Sequence, residues 1–272
     1  MLPIKKLYID TRLKSPDSKS NSNFSVDLPT TLLMPDNTVF YVDDVTIPVS
    51  WYNIDENNNN IYVQYKFDGD PTPVYRQKTF AVGNYSIISL AAALEQAIEY
   101  MLLVAGHGSL GVTATPLIDN NTIRITASQS GWQFKILSGK ELEQTSHDFA
   151  RPFASINSVI SNQQADLADT LIVGPIDLHQ VRNVYIRSPN LATYSTLSLS
   201  GARDIIKKVP VNANYNELIF NNVMVAQDYL DCSRQTLSRL SFRLEDVFGN
   251  PIDLHGNHWS FSLIFAEFDT EL

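Results

Sequence analysis

Leu237-Ser238-Arg239-Leu240-Ser241-Phe242-Arg243-Leu244-Glu245, then Phe248-Gly249-Asn250-Pro251, then Trp259-Ser260-Phe261-Ser262-Leu263-Ile264-Phe265, carries the clearest strand signal in the chain. Polar and apolar residues alternate from Ser241 through the first run and again from Trp259 to Phe265, where only Ile264 breaks the pattern. A period of two sends successive side chains to opposite faces, so each run buries one face and leaves the other wet. Gly249-Asn250 supplies turn residues, and Pro251 stands where an incoming strand needs no ladder donor. The segment Leu237 to Phe268 therefore predicts a terminal β-hairpin, apolar enough to be the centre of a sheet.

Working outward, short strands recur towards both ends. Phe24, Val26 and Leu28 alternate with Ser25 and Asp27 in a strand that Pro29 should stop. Val39 to Pro48 is the next, and Leu7 to Leu13 reads as a short first strand or an extended arm. Lys14 to Asn23, rich in Ser and Asn, is a loop. Strands are expected again at Thr170–Val173, Asn183–Arg187, Thr193–Ser200, Ile205–Val211 and Glu217–Phe220, punctuated by Pro175, Pro189, Gly201 and Pro210. Strands at this spacing with almost no helix between them point to an all-β sandwich or barrel.

The middle of the chain has a different texture. Asp55-Glu56-Asn57-Asn58-Asn59-Asn60 is a turn-rich boundary, followed by strands Ile61–Phe67 and Val74–Val82. Gly83-Asn84-Tyr85-Ser86 opens the one clear helix: Ser86 caps it, and Leu90, Leu94, Ala97, Ile98 and Met101 recur at helical spacing. Gly106 and Gly108 follow this helix, so they end it and do not form a phosphate loop. Val112–Leu117, Thr122–Ala127 and Trp132–Leu137 complete a small α+β unit. His147 to Asp166, polar apart from Phe149, Phe153 and Ile156, reads as a long connector. The expected domains are a β-sandwich formed by 1–55 and 147–272, interrupted by an α+β insertion at 56–146.

At 272 residues and 44% hydrophobic content the chain can bury a substantial core. A net charge of -9 and a pI near 5.0 argue against a nucleic-acid surface. The exception is the basic start, Lys5, Lys6, Arg12, Lys14 and Lys19, the one segment suited to DNA or an acidic neighbour, with a merely solvated tail as the plainer reading. Cys232 is the single cysteine, which excludes an intrachain disulfide and fits a reducing compartment. No apolar run reaches the ~18 residues of a bilayer span, and Met1 to Lys6 lacks a signal-peptide core, so a soluble protein is expected.

The search for chemistry mostly fails. Asp43-Asp44 invites a metal or acid–base reading, yet a bulge or strand end explains it better, because no His or third carboxylate stands at a useful spacing. Cys232 follows Asp231, which disfavours the thiolate. His255 and His258 make a metal-like pair with only Asp253 as a nearby third ligand, and a loop at a sheet tip accounts for them more simply. Glu245-Asp246 precedes a turn, where Asp is common. The aromatic residues do not cluster on a basic background, against base stacking. The residues thus predict no catalytic, cofactor-binding or metal site.

Phe24-Ser25-Val26-Asp27-Leu28-Pro29 and Tyr41-Val42-Asp43-Asp44-Val45-Thr46-Ile47-Pro48-Val49-Ser50-Trp51-Tyr52 resemble the N-terminal part of the minor capsid (penton) proteins of virophages and the related Maverick/Polinton elements. Asp204-Ile205-Ile206-Lys207-Lys208-Val209-Pro210-Val211 and the text from Leu240 to Phe265 resemble later segments of that family. Gly83-Asn84-Tyr85-Ser86 leading into an apolar helix is similar to a module of many viral structural proteins. The resemblance implies a jelly-roll shell domain, five copies of which close a capsid vertex beside the major capsid protein in the virion. It also implies an insertion facing outward, no enzymatic activity and no cofactor. A host receptor or glycan is a possible ligand of the insertion, and a glycan- or receptor-binding sandwich of a viral tail or spike is the competing reading.

Overall fold

The computed structural model describes residues 3–144, 155–161, 166–192, 196–198, 201–223 and 228–267. Its strands are β1 (Pro3–Asp10), β2 (Asn23–Leu33), β3 (Thr38–Pro48), β4 (Asn60–Phe67) and β5 (Val74–Thr79), followed by helix α1 (Ile87–Val104). Then come β6 (Val112–Leu117), β7 (Thr122–Ala127), β8 (Trp132–Ile136), helix α2 (Gly139–Gln144), β9 (Thr170–Val173), β10 (Asn183–Arg187) and β11 (Ile205–Pro210). The last are β12 (Leu218–Asn221), β13 (Leu230–Asp231), β14 (Thr236–Glu245) and β15 (Ser260–Glu267). The chain divides into two compact units, 1–51 with 181–272, and 52–180.

The first unit overturns the terminal hairpin. β14 and β15 are each central in a sheet, but in different sheets: β1-β15-β3-β12, with the short β13 also on β3, and β11-β10-β14-β2. All these pairings are antiparallel. Early and late strands alternate in the first sheet, and in the second the early β2 closes a row of three late strands, so both ends of the chain build each sheet of the jelly roll. The alternation of apolar residues was right about which face of each strand is buried and silent about its neighbour. Phe242 on β14 and Phe261 on β15 point into the same core from opposite sheets, their rings edge to face at 4.9 Å and 83°. Phe24, Phe242, Trp259 and Phe261 are all buried there. The connection 246–259 is a crossing between sheets. It holds a tight turn, in which Asp246 Oδ1 accepts from the amides of Phe248 and Asn250 and Gly249 takes φ +89°. Ile252 and Leu254 then tuck under the end of the sandwich.

Two further expectations change in this unit and one holds. Pro29 does not stop β2: the register slips between Asp27, opposite Arg239, and Leu32, opposite Leu237, so the proline lies in an irregular stretch where no ladder donor is required. Asp43-Asp44 does occupy a bulge, since Val45 faces Phe261 while Val42 faces Leu263, leaving two β3 residues opposite Ser262. The N-terminal segment is no free arm, because β1 pairs with β15 from Pro3 to Asp10. The loop after it is also tied down: Ser15 donates to Asp27 at 2.6 Å, and the Trp259 indole donates to the Asn21 carbonyl at 2.7 Å. The expected strand Thr193–Ser200 lies mostly outside the described residues, and 196–198 are not strand.

The second unit has two three-stranded sheets, β5-β4-β8 and β6-β7-β9, with α1 packed on β5, β6 and β7. Ser86 caps α1 in a reciprocal box with Ser89, and Leu90, Ala91, Leu94, Ala97, Ile98, Met101 and Leu102 are its buried residues. The helix is nonetheless long and apolar enough to pass for a membrane span by length and composition, with mean hydropathy 1.6 over 18 residues, which corrects the expectation that no such run exists. Helix α2 was missed; Glu141 in its first turn pairs with Lys135 of β8 at 2.5 Å. The unit is also wider than 56–146. β9 pairs with β7, so Thr170–Val173 belongs here and not to the sandwich, and Ile156, Val159 and Ile160 join the same core. Phe149 and Phe153 of the expected connector lie outside the described residues.

The asparagine run at this unit's start is built in. Asn58 and Asn60 are buried; Asn58 Nδ2 donates to the Asn53 carbonyl at 2.9 Å, and Asn60 Oδ1 accepts from Thr79 at 2.7 Å. Asn53 exchanges two hydrogen bonds with the backbone of Tyr85, at 2.7 and 2.8 Å, fixing the entry to α1. Paired this way, short amides can be buried without an unmet partner.

Candidate functional site

The two outer faces of the sandwich differ in kind. On the second sheet, outward residues of β10 and β14 form a closed ion cluster. Arg187 lies 2.8 Å from Glu245 and 3.2 Å from Asp204, and Arg243 reaches Glu245 at 3.0 Å and also Asp204. Arg187 and Glu245 are buried, so each needs the other's charge. Further along, Arg239 pairs with Asp17 at 2.5 Å, which holds the Asp17 carboxyl below its usual range. These four cluster charges, and Arg239 with Asp17, are paired with one another across the face. The sequence flagged only Glu245 among the cluster's members, because the other three become neighbours through strand pairing and the Asp204 loop.

The first sheet is more apolar outward. Ile264, the residue that breaks the alternation, is buried beside Tyr41 and Lys6, its register neighbours on β3 and β1. Lys6 reaches across β15 to Asp43 at 2.7 Å, and this hydrogen bond raises its pKa. The rings of Tyr41 and Tyr229 lie 5.2 Å apart, tilted by 52°, and burial, more than the charge of Asp43, raises the pKa of Tyr41. Tyr8 on β1 and Leu218 and Phe220 on β12 stand exposed at the two edges.

The residues singled out for chemistry do not converge. Nδ1 of His255 donates to the Ser50 carbonyl at 2.7 Å and Nε2 lies 3.4 Å from Asp253, whereas His258 sits 3.1 Å from the Thr11 hydroxyl. Each ring serves a separate loop contact, and among the described residues no three His, Cys, Asp or Glu side chains are grouped to hold a metal. Cys232 is buried, its thiol pushed up to about 12 by burial first and Asp231 second. Of the basic start, Lys6 and Arg12 are paired with Asp43 and Asp10, and Lys14 donates to Asn21 at 2.5 Å. Arg12 in turn lowers the Asp10 pKa through its side-chain hydrogen bond.

The first unit is a jelly roll whose chain leaves after its third strand, builds the α+β unit and returns to complete both sheets. Over 97% of this chain and 100% of the other, the structure is similar to the selenomethionine-labelled crystal structure of the mavirus penton protein, with a TM-score of 0.58 and 10% sequence identity. No family model matches the sequence, and no curated protein matches it. The fold is therefore that of a penton jelly-roll protein.

Proposed function

We propose that this chain is a structural capsid protein, a homopentameric penton that closes the five-fold vertices of an icosahedral shell. The observation that carries the reading is the extent of the likeness: it spans the insertion as well as the widely shared jelly roll. In this reading five sandwiches close head to tail, each burying on the order of 2,000 Å² with its neighbours as obligate assemblies do. The ring meets the major capsid protein at its rim, and the unit 52–180 is the part offered to the outside. The chemistry required is complementarity of surfaces, with no reacting group.

The test is the solution mass of the purified chain by light scattering, with negative-stain images of the same peak. Pentameric mass and five-fold rings are expected. A trimer, or a monomer that stays monomeric as concentration rises through the micromolar range, would remove the reading.

A further inference from the structure

A cleft of about 510 Å³ opens in the first unit between the loop after β1 and the crossing from β14 to β15. Lys14, Ser20 and Asn21 line one wall, and Ile252, Asp253 and His258 the other. Asn21 braces the two walls. Its amide nitrogen donates to the carbonyls of Gly256 and Asn257 at 2.9 and 2.8 Å, and its backbone carbonyl accepts from the Trp259 indole. The Ser22 hydroxyl adds a bond to the Ile252 carbonyl. The fold's own bonds therefore shape the cleft before any ligand arrives, as in most small-molecule sites. The hydrogen-bonding capacity left over in the lining is mainly that of donors. Lys14 gives one hydrogen to the Asn21 side-chain oxygen at 2.5 Å, and among the described residues it has no carboxylate partner. Thr11 accepts the Trp259 amide, and Nδ1 of His258 at 3.1 Å is the nearer of two acceptors for its own hydrogen, ahead of the Trp259 carbonyl at 3.3 Å. The ring hydrogen of His258 then sits on Nε2, which has no partner among the described residues. The Ser20 hydroxyl accepts from the Ser22 amide at 3.1 Å and keeps its hydrogen. Asp253 is the one carboxylate of the lining, and His255 engages it: Oδ1 accepts the His255 amide at 2.8 Å and Oδ2 lies 3.4 Å from the ring nitrogen Nε2.

We propose that this cleft binds an anionic sugar, a carboxylate or phosphate carried on a body of monosaccharide size. An ammonium, an imidazole N–H and a hydroxyl with hydrogens to give are the donor set that a carboxylate or phosphate accepts from. Charge-assisted bonds of this kind are the strong ones. The volume selects the body: it falls within the range of about 300–1,000 Å³ for small-molecule sites, which a bare inorganic anion would leave mostly empty. Exposed Pro251 gives the ring of the sugar an apolar wall. Lys14 and His258 stand at the two ends of the Asn21 amide group, so the charged end of the ligand belongs beside Asn21. The cleft is built from one chain alone and does not depend on the pentamer.

The experiment titrates the purified full chain with N-acetylneuraminic acid and with glucose 6-phosphate, by calorimetry and saturation-transfer NMR. The methyl ester of the first, glucose and inorganic phosphate are the controls. At least one of the two acids is expected to bind with a millimolar or tighter Kd, and its neutral counterpart about tenfold more weakly or less. Lys14→Gln keeps a hydrogen for Asn21 and drops the charge, so it should weaken the acid by about tenfold. Asp253→Asn should leave the affinity equal or raise it, and thermal unfolding matching the parent shows that each variant keeps its fold. Should Lys14→Gln fail to fold, Ser20→Ala takes its place, with a smaller loss expected. Absence of binding by both acids overturns the proposal, as does equal binding of the neutral counterparts or of inorganic phosphate. A loss of affinity in Asp253→Asn without one in Lys14→Gln overturns it too.

Discussion

Replacing Phe242 by alanine tests whether the two terminal strands face each other across the sandwich. Phe242 is fully buried, its ring 5.6 Å from Phe24 in the neighbouring strand and 4.9 Å from Phe261 in the opposite sheet. Removing it deletes most of a side chain from a close-packed layer that cannot fully collapse, at a cost of about 3–5 kcal/mol. Phe242→Leu keeps most of the volume and should cost below about 1.5 kcal/mol. The cross-sheet contact itself appears in a double-mutant cycle of Phe242→Leu with Phe261→Leu, where the ring pair should couple by about 0.5–1.5 kcal/mol. The assay is urea unfolding followed by the fluorescence of Trp259, which stacks on Phe261 at 4.9 Å, in a background carrying Trp51→Phe and Trp132→Phe. A cost within about 1 kcal/mol of zero for Phe242→Ala would refute the reasoning, as would zero coupling with Phe261.

The remaining predictions concern charge, the thiol and the helix cap. Arg187→Leu should destabilise the first unit by about 1.5–3 kcal/mol, because buried Glu245 then keeps only the partly exposed Arg243 as its cation, whereas Arg239→Ala at the solvated end of the same face should leave the urea midpoint nearly unchanged. Native Cys232 should not react with an aromatic disulfide reagent at pH 8, and one thiol should appear on unfolding. Since its folded pKa of about 12 exceeds the ordinary 9.0, its contribution is complete below pH 9 and lost as pH rises towards 12, by up to about 1.4 kcal/mol per pH unit; Cys232→Ala should flatten that slope. Ser86→Ala removes the acceptor for the Ser89 amide and should lower the stability of the second unit by about 1 kcal/mol in thermal unfolding, with Ser86→Asp retaining most of it.

Strand existence, the helix and its cap were legible because each leaves a local trace. Phe242, Leu244, Phe261, Leu263 and Phe265 show period two whatever strand lies beside them, and Ser86 caps through the amide three residues on. Asp43-Asp44 could be judged a bulge because nothing nearby supported a metal. Partnership was not legible. Glycine, asparagine and proline at 249–251 make the same turn in a hairpin and in a crossing between sheets, and only the burial of Ile252, Leu254 and Trp259 against both sheets chooses the second. Thr170–Val173 reads as a strand in either unit; pairing with β7 assigns it. The sequence by itself determined which faces are apolar, where the chain turns and that no compact catalytic motif is present. Tertiary structure decided which strands share a sheet, where the insertion begins and ends, and which charges meet, because those depend on contacts between residues far apart in the chain.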